Sequence, residues 1–225
     1  MVVGNGLIAK SMSSFINEDD ILIFASGVSN SKEKDTSKYE REINILKTYY
    51  NTNKKFIYFS TCSVLYDCIE NTEYIEHKKK IEHIILNNFK NYLIFRLPNI
   101  VGVTNNPNTS FNFFKNNLKH GININVEKFT TRYFIDIVDV VDTLTPIILD
   151  NKNNKKTFNV CFNSKINIFD FIMMMSKHMN VDPKIILEEN GCSLDVNNNE
   201  FINLLDKKYK LIDGDYNIKL IKKYC

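Results

Sequence analysis

Residues 1–27 read MVVGNGLIAKSMSSFINEDDILIFASG, and the fold follows from how this stretch is divided. Met1–Val3 is a short apolar strand that runs directly into Gly4-Asn5-Gly6-Leu7-Ile8-Ala9. Leu7 to about Ile16 has helical character and ends in the polar turn Asn17–Asp20. Ile21–Ala25, ILIFA, is a continuous apolar run of the kind buried on both faces of a sheet. Strand, glycine turn, helix and buried strand together open a βαβ unit.

The rhythm continues outward. Gly27 to Ser37 is polar and loop-like, and Tyr39–Tyr50 carries Ile43, Leu46 and Tyr50 at helical spacing. Phe56–Phe59 is a strand that ends at Ser60-Thr61. Tyr74–Phe89 sets Ile81, Ile84 and Ile85 on one helical face, and Tyr92–Leu97 is the next buried strand. This alternation predicts an α/β fold, a mostly parallel sheet with helices on both faces. Past Gly102 the pattern loosens. Ser110–Leu118 reads as helix, Phe134–Leu149 as helix after a short strand, Phe158–Cys161 as strand and Ile168–Met179 as an apolar helix. Asn151–Lys156 reads as a surface turn. The expected division is a core over 1–105 and a C-terminal region over 106–225, interleaved with the last core strands.

Composition excludes several classes. Of 225 residues, 44% are apolar, 12% aromatic and 24% charged, which is ordinary for a globular chain and excludes a disordered tail. The net charge of +3 is too small to argue for nucleic acid, and Lys78-Lys79-Lys80 reads as part of a solvated helix face. No stretch approaches the ~18 apolar residues of a membrane span, and the N-terminus has no basic leader, so a cytoplasmic chain is expected. The five cysteines (Cys62, Cys68, Cys161, Cys192, Cys225) are scattered without a C-x-x-C pair and fit thiols better than a disulfide frame or a metal site.

Three motifs carry chemistry. Gly4-Asn5-Gly6-Leu7-Ile8-Ala9 is a G-x-G-x-x-A between a strand and a helix: Gly4 permits the turn, Gly6 lets backbone approach a pyrophosphate, and Ala9 lets the helix pack. Alone it fits a plain tight turn as well. Tyr74-x-x-x-Lys78 puts a phenol and an ammonium on one helix face, where the cation favours the phenolate and draws the phenol toward neutrality. That makes Tyr74 a candidate general acid/base, and a surface helix pair is the plainer alternative. Ser60-Thr61-Cys62-Ser63-Val64 ends a strand, where a hydroxyl meets ligands of open α/β sheets, or is merely a turn. Three other features read plainly. His77 points to another helix face and is solvated. Met173, Met174 and Met175 fit a helix core. Gly27-Val28-Ser29 lacks the second glycine of a hydrolase elbow.

In this order, and with Ala25-Ser26-Gly27 and Arg96-Leu97-Pro98-Asn99 at strand ends, the motifs resemble the extended short-chain dehydrogenase/reductases, the NAD-dependent epimerase/dehydratase family. Arg132-Tyr133-Phe134-Ile135-Asp136-Ile137-Val138-Asp139-Val140-Val141 also resembles a segment of that branch. The resemblance spans roughly residues 1–180. It implies a Rossmann-like core with a small C-terminal substrate-binding region, NAD or NADP as cofactor and a nucleotide sugar as substrate. It implies a reductase or epimerase acting at a sugar keto or hydroxyl carbon, in surface-polysaccharide sugar synthesis. Thr61, Tyr74 and Lys78 match the catalytic set. Gly4, Gly6, Leu7 and Ile8 match the pyrophosphate site, Ala25 and Ser26 the nicotinamide ribose, and Pro98, Asn99 and Ile100 the surroundings of nicotinamide and sugar. Ser63, Asn99 and Arg132 match substrate contacts. The family often dimerises through core helices, so a homodimer is a candidate assembly.

One departure stands out. In the family an acidic residue about 20 positions after the glycines binds the adenosine ribose. Here the next strand ends Ala25-Ser26-Gly27, like the family's fourth strand, and Asp19 and Asp20 precede it. The sheet is therefore expected to lack two strands of the adenosine-binding half. Thirteen positions separate Thr61 from Tyr74, short for the family. A rival expectation follows: a nucleotide-sugar-binding or regulatory module without redox chemistry, or a site whose missing half comes from another subunit.

Overall fold

In the computed structural model, which describes residues 1–65, 72–193 and 195–225, the apolar runs of the first half become a parallel sheet. Its elements are β1 (Val2–Val3), α1 (Leu7–Ser11), β2 (Ile21–Phe24), α2 (Thr36–Lys47), β3 (Lys55–Thr61), α3 (Glu73–Asn88), β4 (Tyr92–Leu97), α4 (Ile137–Leu149) and β5 (Lys156–Asn159). The strands lie in the order β1-β2-β3-β4-β5, and every pair is parallel. Sequence order and sheet order therefore coincide, and β1 is an edge. Among the described residues no strand pairs with its outer side, as expected for a core without the two adenosine-side strands.

Strand alternation sends Leu22, Phe24, Phe56, Tyr58, Tyr92 and Ile94 to one face, where they pack with Leu46 of α2 and with Ile81 and Ile85 of α3. The intervening Ile23, Ile57, Leu93 and Phe95 are buried as well, and α1 packs on α4. Asp35 starts α2 by accepting from the Ser37 N–H at 3.0 Å, and Thr72 starts α3 by accepting from the Ile75 N–H at 3.3 Å. Buried Lys55 donates to the carbonyls of Ile148 and Asp150 at 2.9 and 3.0 Å, satisfying acceptors that the end of α4 leaves open. Expected Leu7–Ile16 is helix only to Ser11, followed by a 3-10 turn at Ser13–Phe15.

The chain divides into two compact units, each discontinuous: Met1–Leu97 with Ile137–Val160, and Pro98–Asp136 with Cys161–Cys225. The sequence reading places the core over 1–105 and a C-terminal region over 106–225 interleaved with the last core strands; in the structure α4 and β5 return to the sheet, where β5 pairs with β4. In the second unit, Asn99–Val101 pairs in parallel with Phe134–Asp136, and Thr131–Arg132 pairs antiparallel with Ile166–Asn167. Helix Ile168–Met179 matches its expected bounds. The C-terminal helix Asp215–Tyr224 is tied down through buried Asp136, which accepts from Lys223 Nζ at 2.7 Å and the Tyr224 hydroxyl at 2.8 Å.

The cysteine expectation needs correction. Cys192 is disulfide-bonded, whereas Cys62 and Cys161 are buried thiols and Cys225 an exposed one. Spacing in sequence carries no information on which cysteines a fold brings together. Cys68 lies outside the described residues. Among the described residues no helix is long and apolar enough to cross a membrane.

Candidate active site

Because all five strands run the same way, their carboxyl ends share one edge. β1 ends at Val3, just before Gly4, β2 at Phe24, just before Ala25-Ser26, and β3 at Thr61, with Thr61 opposite Leu97 of β4. Gly4 has φ +127°, and a Cβ built on it would lie 2.3 Å from the Ala25 carbonyl oxygen, so the turn requires glycine. Gly6 differs: its φ is −75°, and nothing lies within 4 Å of a built Cβ. The second glycine leaves open space where the first fills a contact. Arg41 of α2 closes over the same edge, donating to the Ser26 carbonyl at 3.0 Å and the Ser26 hydroxyl at 3.2 Å.

Thr61, Tyr74 and Lys78 converge. The Tyr74 phenol and the Thr61 hydroxyl are hydrogen-bonded. Thr61 also accepts from the Ser63 N–H at 3.1 Å, and its hydroxyl donates to Ser63 Oγ at 3.1 Å. Lys78 Nζ lies 5.9 Å from the centre of the Tyr74 ring. The strand end below is braced by Glu82 of α3, which accepts from Ser60 at 2.5 Å and from Arg96 of β4 at 2.6 Å.

Lys78 is not on a solvated face. It is 3% exposed and donates to the Tyr58 hydroxyl at 2.8 Å and to Glu42 Oε1 at 3.2 Å. Glu42 is fully buried and accepts in addition from the Tyr58 hydroxyl (2.9 Å) and the Val28 N–H (2.9 Å), with His77 Nε2 at 2.9 Å from Oε2. Burial pushes the Glu42 carboxyl up, but the Lys78 charge and the hydrogen bonds from His77 and Val28 outweigh it and hold the group well below the usual carboxylate range. Gly27 packs on the pair, where a Cβ would lie 2.7 Å from Lys78 Nζ.

Two expectations change here. His77 is buried, stacked near Tyr39 at 4.6 Å and bonded to Glu42, instead of solvated. The Tyr74 phenol is pushed up, not drawn toward neutrality: burial is the largest cause, the Lys78 charge opposes it, and Glu42 adds to it. Glu42 offsets part of the field that Lys78 exerts at the phenol, and burial outweighs the remainder. Glu42 and Tyr58 were missed in the sequence. The available signal was a carboxylate on an apolar stripe, between Tyr39 and Leu46 of α2. A charge there must find a buried partner.

No family model and no curated protein matches the sequence. Solved structures do match. RMD from Pseudomonas aeruginosa, complexed with NADPH, aligns with a TM-score of 0.72 at 15% identity over 99% of this chain and 97% of that one. UDP-glucuronic acid 4-epimerase from Bacillus cereus, in complex with UDP-glucuronic acid and NAD, also gives 0.72, at 17% identity over 98% and 78%. The dTDP-glucose 4,6-dehydratase from Bacillus anthracis, in complex with NAD, gives 0.67 at 13% identity over 95% and 75%. The chain shares the fold of these structures.

The remaining residues expected of an extended short-chain dehydrogenase lie in the second unit. Asn99 donates from its side chain to the Tyr133 carbonyl at 3.1 Å and accepts from the Ser110 hydroxyl at 2.9 Å. Arg132 donates to the Thr131 carbonyl at 2.9 Å on the short strand opposite Ile166. Pro98 and Ile100 flank Asn99 at the start of that unit. The fold shared with these structures is thus present, with a glycine turn at Gly4, with Thr61, Tyr74 and Lys78 close together, and with β1 at the sheet edge among the described residues.

Proposed function

We propose that the protein is an NAD(P)-dependent nucleotide-sugar reductase or epimerase, acting at a sugar keto or hydroxyl carbon. Surface-polysaccharide sugar synthesis in the cytoplasm is the corresponding setting. The observation that carries this is the convergence of Thr61, Tyr74 and Lys78 at the sheet edge that also holds the glycine turn. Ligands of open α/β sheets sit outside such edges.

The turn fits a pyrophosphate, since Gly6 leaves its Cβ direction open and Gly4 tightens the backbone against Ala25. Gly4, Gly6, Leu7 and Ile8 would hold that group, with Ala25 and Ser26 beside the adjoining ribose. A bound nicotinamide supplies the hydride acceptor or donor. Tyr74 exchanges the proton of the sugar oxygen, and Thr61, steadied by Ser63, holds that oxygen in place. Lys78 fixes the phenol's electrostatic surroundings. The adenosine end has no matching support among the described residues, because β1 is the sheet edge. That observation favours a second reading, a nucleotide-sugar-binding or regulatory module without turnover.

Calorimetric titration with NADH and NADPH separates the two. Measurable binding of either, followed by turnover of a 4-keto nucleotide sugar, is the expected result. No binding at millimolar cofactor supports the module. Gly6→Ala sharpens the test: the added methyl meets nothing in the fold, so only the modest N-cap preference of glycine over alanine is lost and the melting temperature should fall slightly, while cofactor affinity falls at least about tenfold, the equivalent of 1.4 kcal/mol. Equal affinity in the variant removes the glycine turn from the binding site.

A further inference from the structure

The buried carboxylate of Glu42 has no place in the reading above, yet it is the most heavily bonded side chain near Tyr74. Four donors or ring groups converge on it from three elements: Lys78 and His77 from α3, Tyr58 from β3, and the Val28 backbone N–H from the loop after β2. Lys78 in turn spends its Nζ on Glu42 and the Tyr58 hydroxyl, with the Tyr58 ring centre 5.0 Å away. Gly27 closes the remaining side, with built Cβ distances of 2.7 Å to Lys78 Nζ and 3.0 Å to Glu42 Oε1. The ammonium and carboxylate therefore form a neutral pair that water does not reach.

We propose that Glu42 is a positioning residue of this site: it holds Lys78 in a neutral buried pair, so that Tyr74 meets its ligand as a proton donor and the site takes its sugar in the carbonyl form. This rests on the reductase or epimerase reading and narrows it toward reduction. In that direction the proton leaves Tyr74 Oη for the carbonyl oxygen, and the carbonyl carbon receives a hydride from a reduced nicotinamide. The groups facing Tyr74 agree. Lys78 lies on its own helix, Glu42 and Tyr39 come from α2, and Tyr58 and Thr61 from β3, with His77 bound to Glu42 and Glu82 acting on Tyr58. Among the charges, Glu42 opposes Lys78, and burial adds to the preference for the neutral phenol.

The test reads the Tyr74 ionisation itself and needs no turnover. Tyrosinate absorbance is titrated in the full chain and in Glu42→Gln, each with and without Tyr74→Phe, so that the difference within a pair isolates Tyr74. Glu42→Gln leaves the Lys78 charge uncompensated, and the Tyr74 transition should move down by about one to three pH units. In Glu42→Gln/Lys78→Met both charges are gone, and the transition should return close to its original position. A Tyr74 transition unmoved by Glu42→Gln, or a double variant as displaced as the single one, overturns the proposal. Should circular dichroism find Glu42→Gln unfolded, Lys78→Met against the double variant makes the same comparison. A bare Glu42 raises the transition and its removal lowers it again, and equal transitions overturn the proposal. Absence of cofactor binding in the parent chain, with the Tyr74 shift intact, would sink the catalytic reading alone.

Discussion

Tyr74→Phe should lower turnover of a nucleotide sugar by about 10²–10⁴-fold, the usual contribution of a positioned general acid or base. The substitution removes one oxygen and keeps the ring, so ligand binding and the α3 helix should be largely unaffected. Thr61 loses its partner at Tyr74 but keeps its bonds to Ser63, which limits the structural cost. The pH dependence has a definite sign. Burial, only partly opposed by Lys78, holds the phenol above its ordinary value, so Tyr74 stays protonated through neutrality. A rate that needs the protonated phenol should be flat across neutral pH and fall on the alkaline side. Steady-state kinetics from pH 6 to 11 on both proteins check this. Unchanged turnover in the variant removes Tyr74 from the chemistry.

Gly4→Ala should instead damage the fold. A residue with a side chain at φ +127° carries strain of about 1–3 kcal/mol. The added methyl would also sit 2.3 Å from the Ala25 carbonyl oxygen and 2.6 Å from its carbon, both backbone atoms that cannot swing aside. Ala25 is held at that point, because its N–H donates to the Val3 carbonyl at 2.8 Å. At about 2–4 °C per kcal/mol for a chain of this size, 3 kcal/mol lowers the melting temperature by about 6–12 °C. Differential scanning calorimetry beside Gly6→Ala makes the contrast. Equal melting temperatures for the two variants would show that the turn tolerates a side chain at position 4.

The alternating runs made the core readable in advance. ILIF at Ile21–Phe24, the apolar part of Lys55–Thr61 and the run Tyr92–Leu97 are each long enough to cross a sheet buried on both faces. Ala25-Ser26-Gly27, arriving directly after the first helix, is what made β2 the neighbour of β1 in the expected sheet, and among the described residues β1 is the sheet edge. The candidate triad was legible for a similar reason, since i and i+4 on one helix share a face whatever surrounds them.

What the chain order could not carry was the charge around that triad. Lys78 looked like one of three solvated lysines and His77 like a surface residue, because a single helix reveals its faces but not what covers each of them. Only the packing of α2 against α3 brought Glu42, 36 positions away in sequence from Lys78, within 3.2 Å of its ammonium. Local periodicity decides which residues a strand or helix buries. The sign of the field at a phenol depends on partners that come together only when separate helices are packed on one sheet face, where low polarizability makes each charge count.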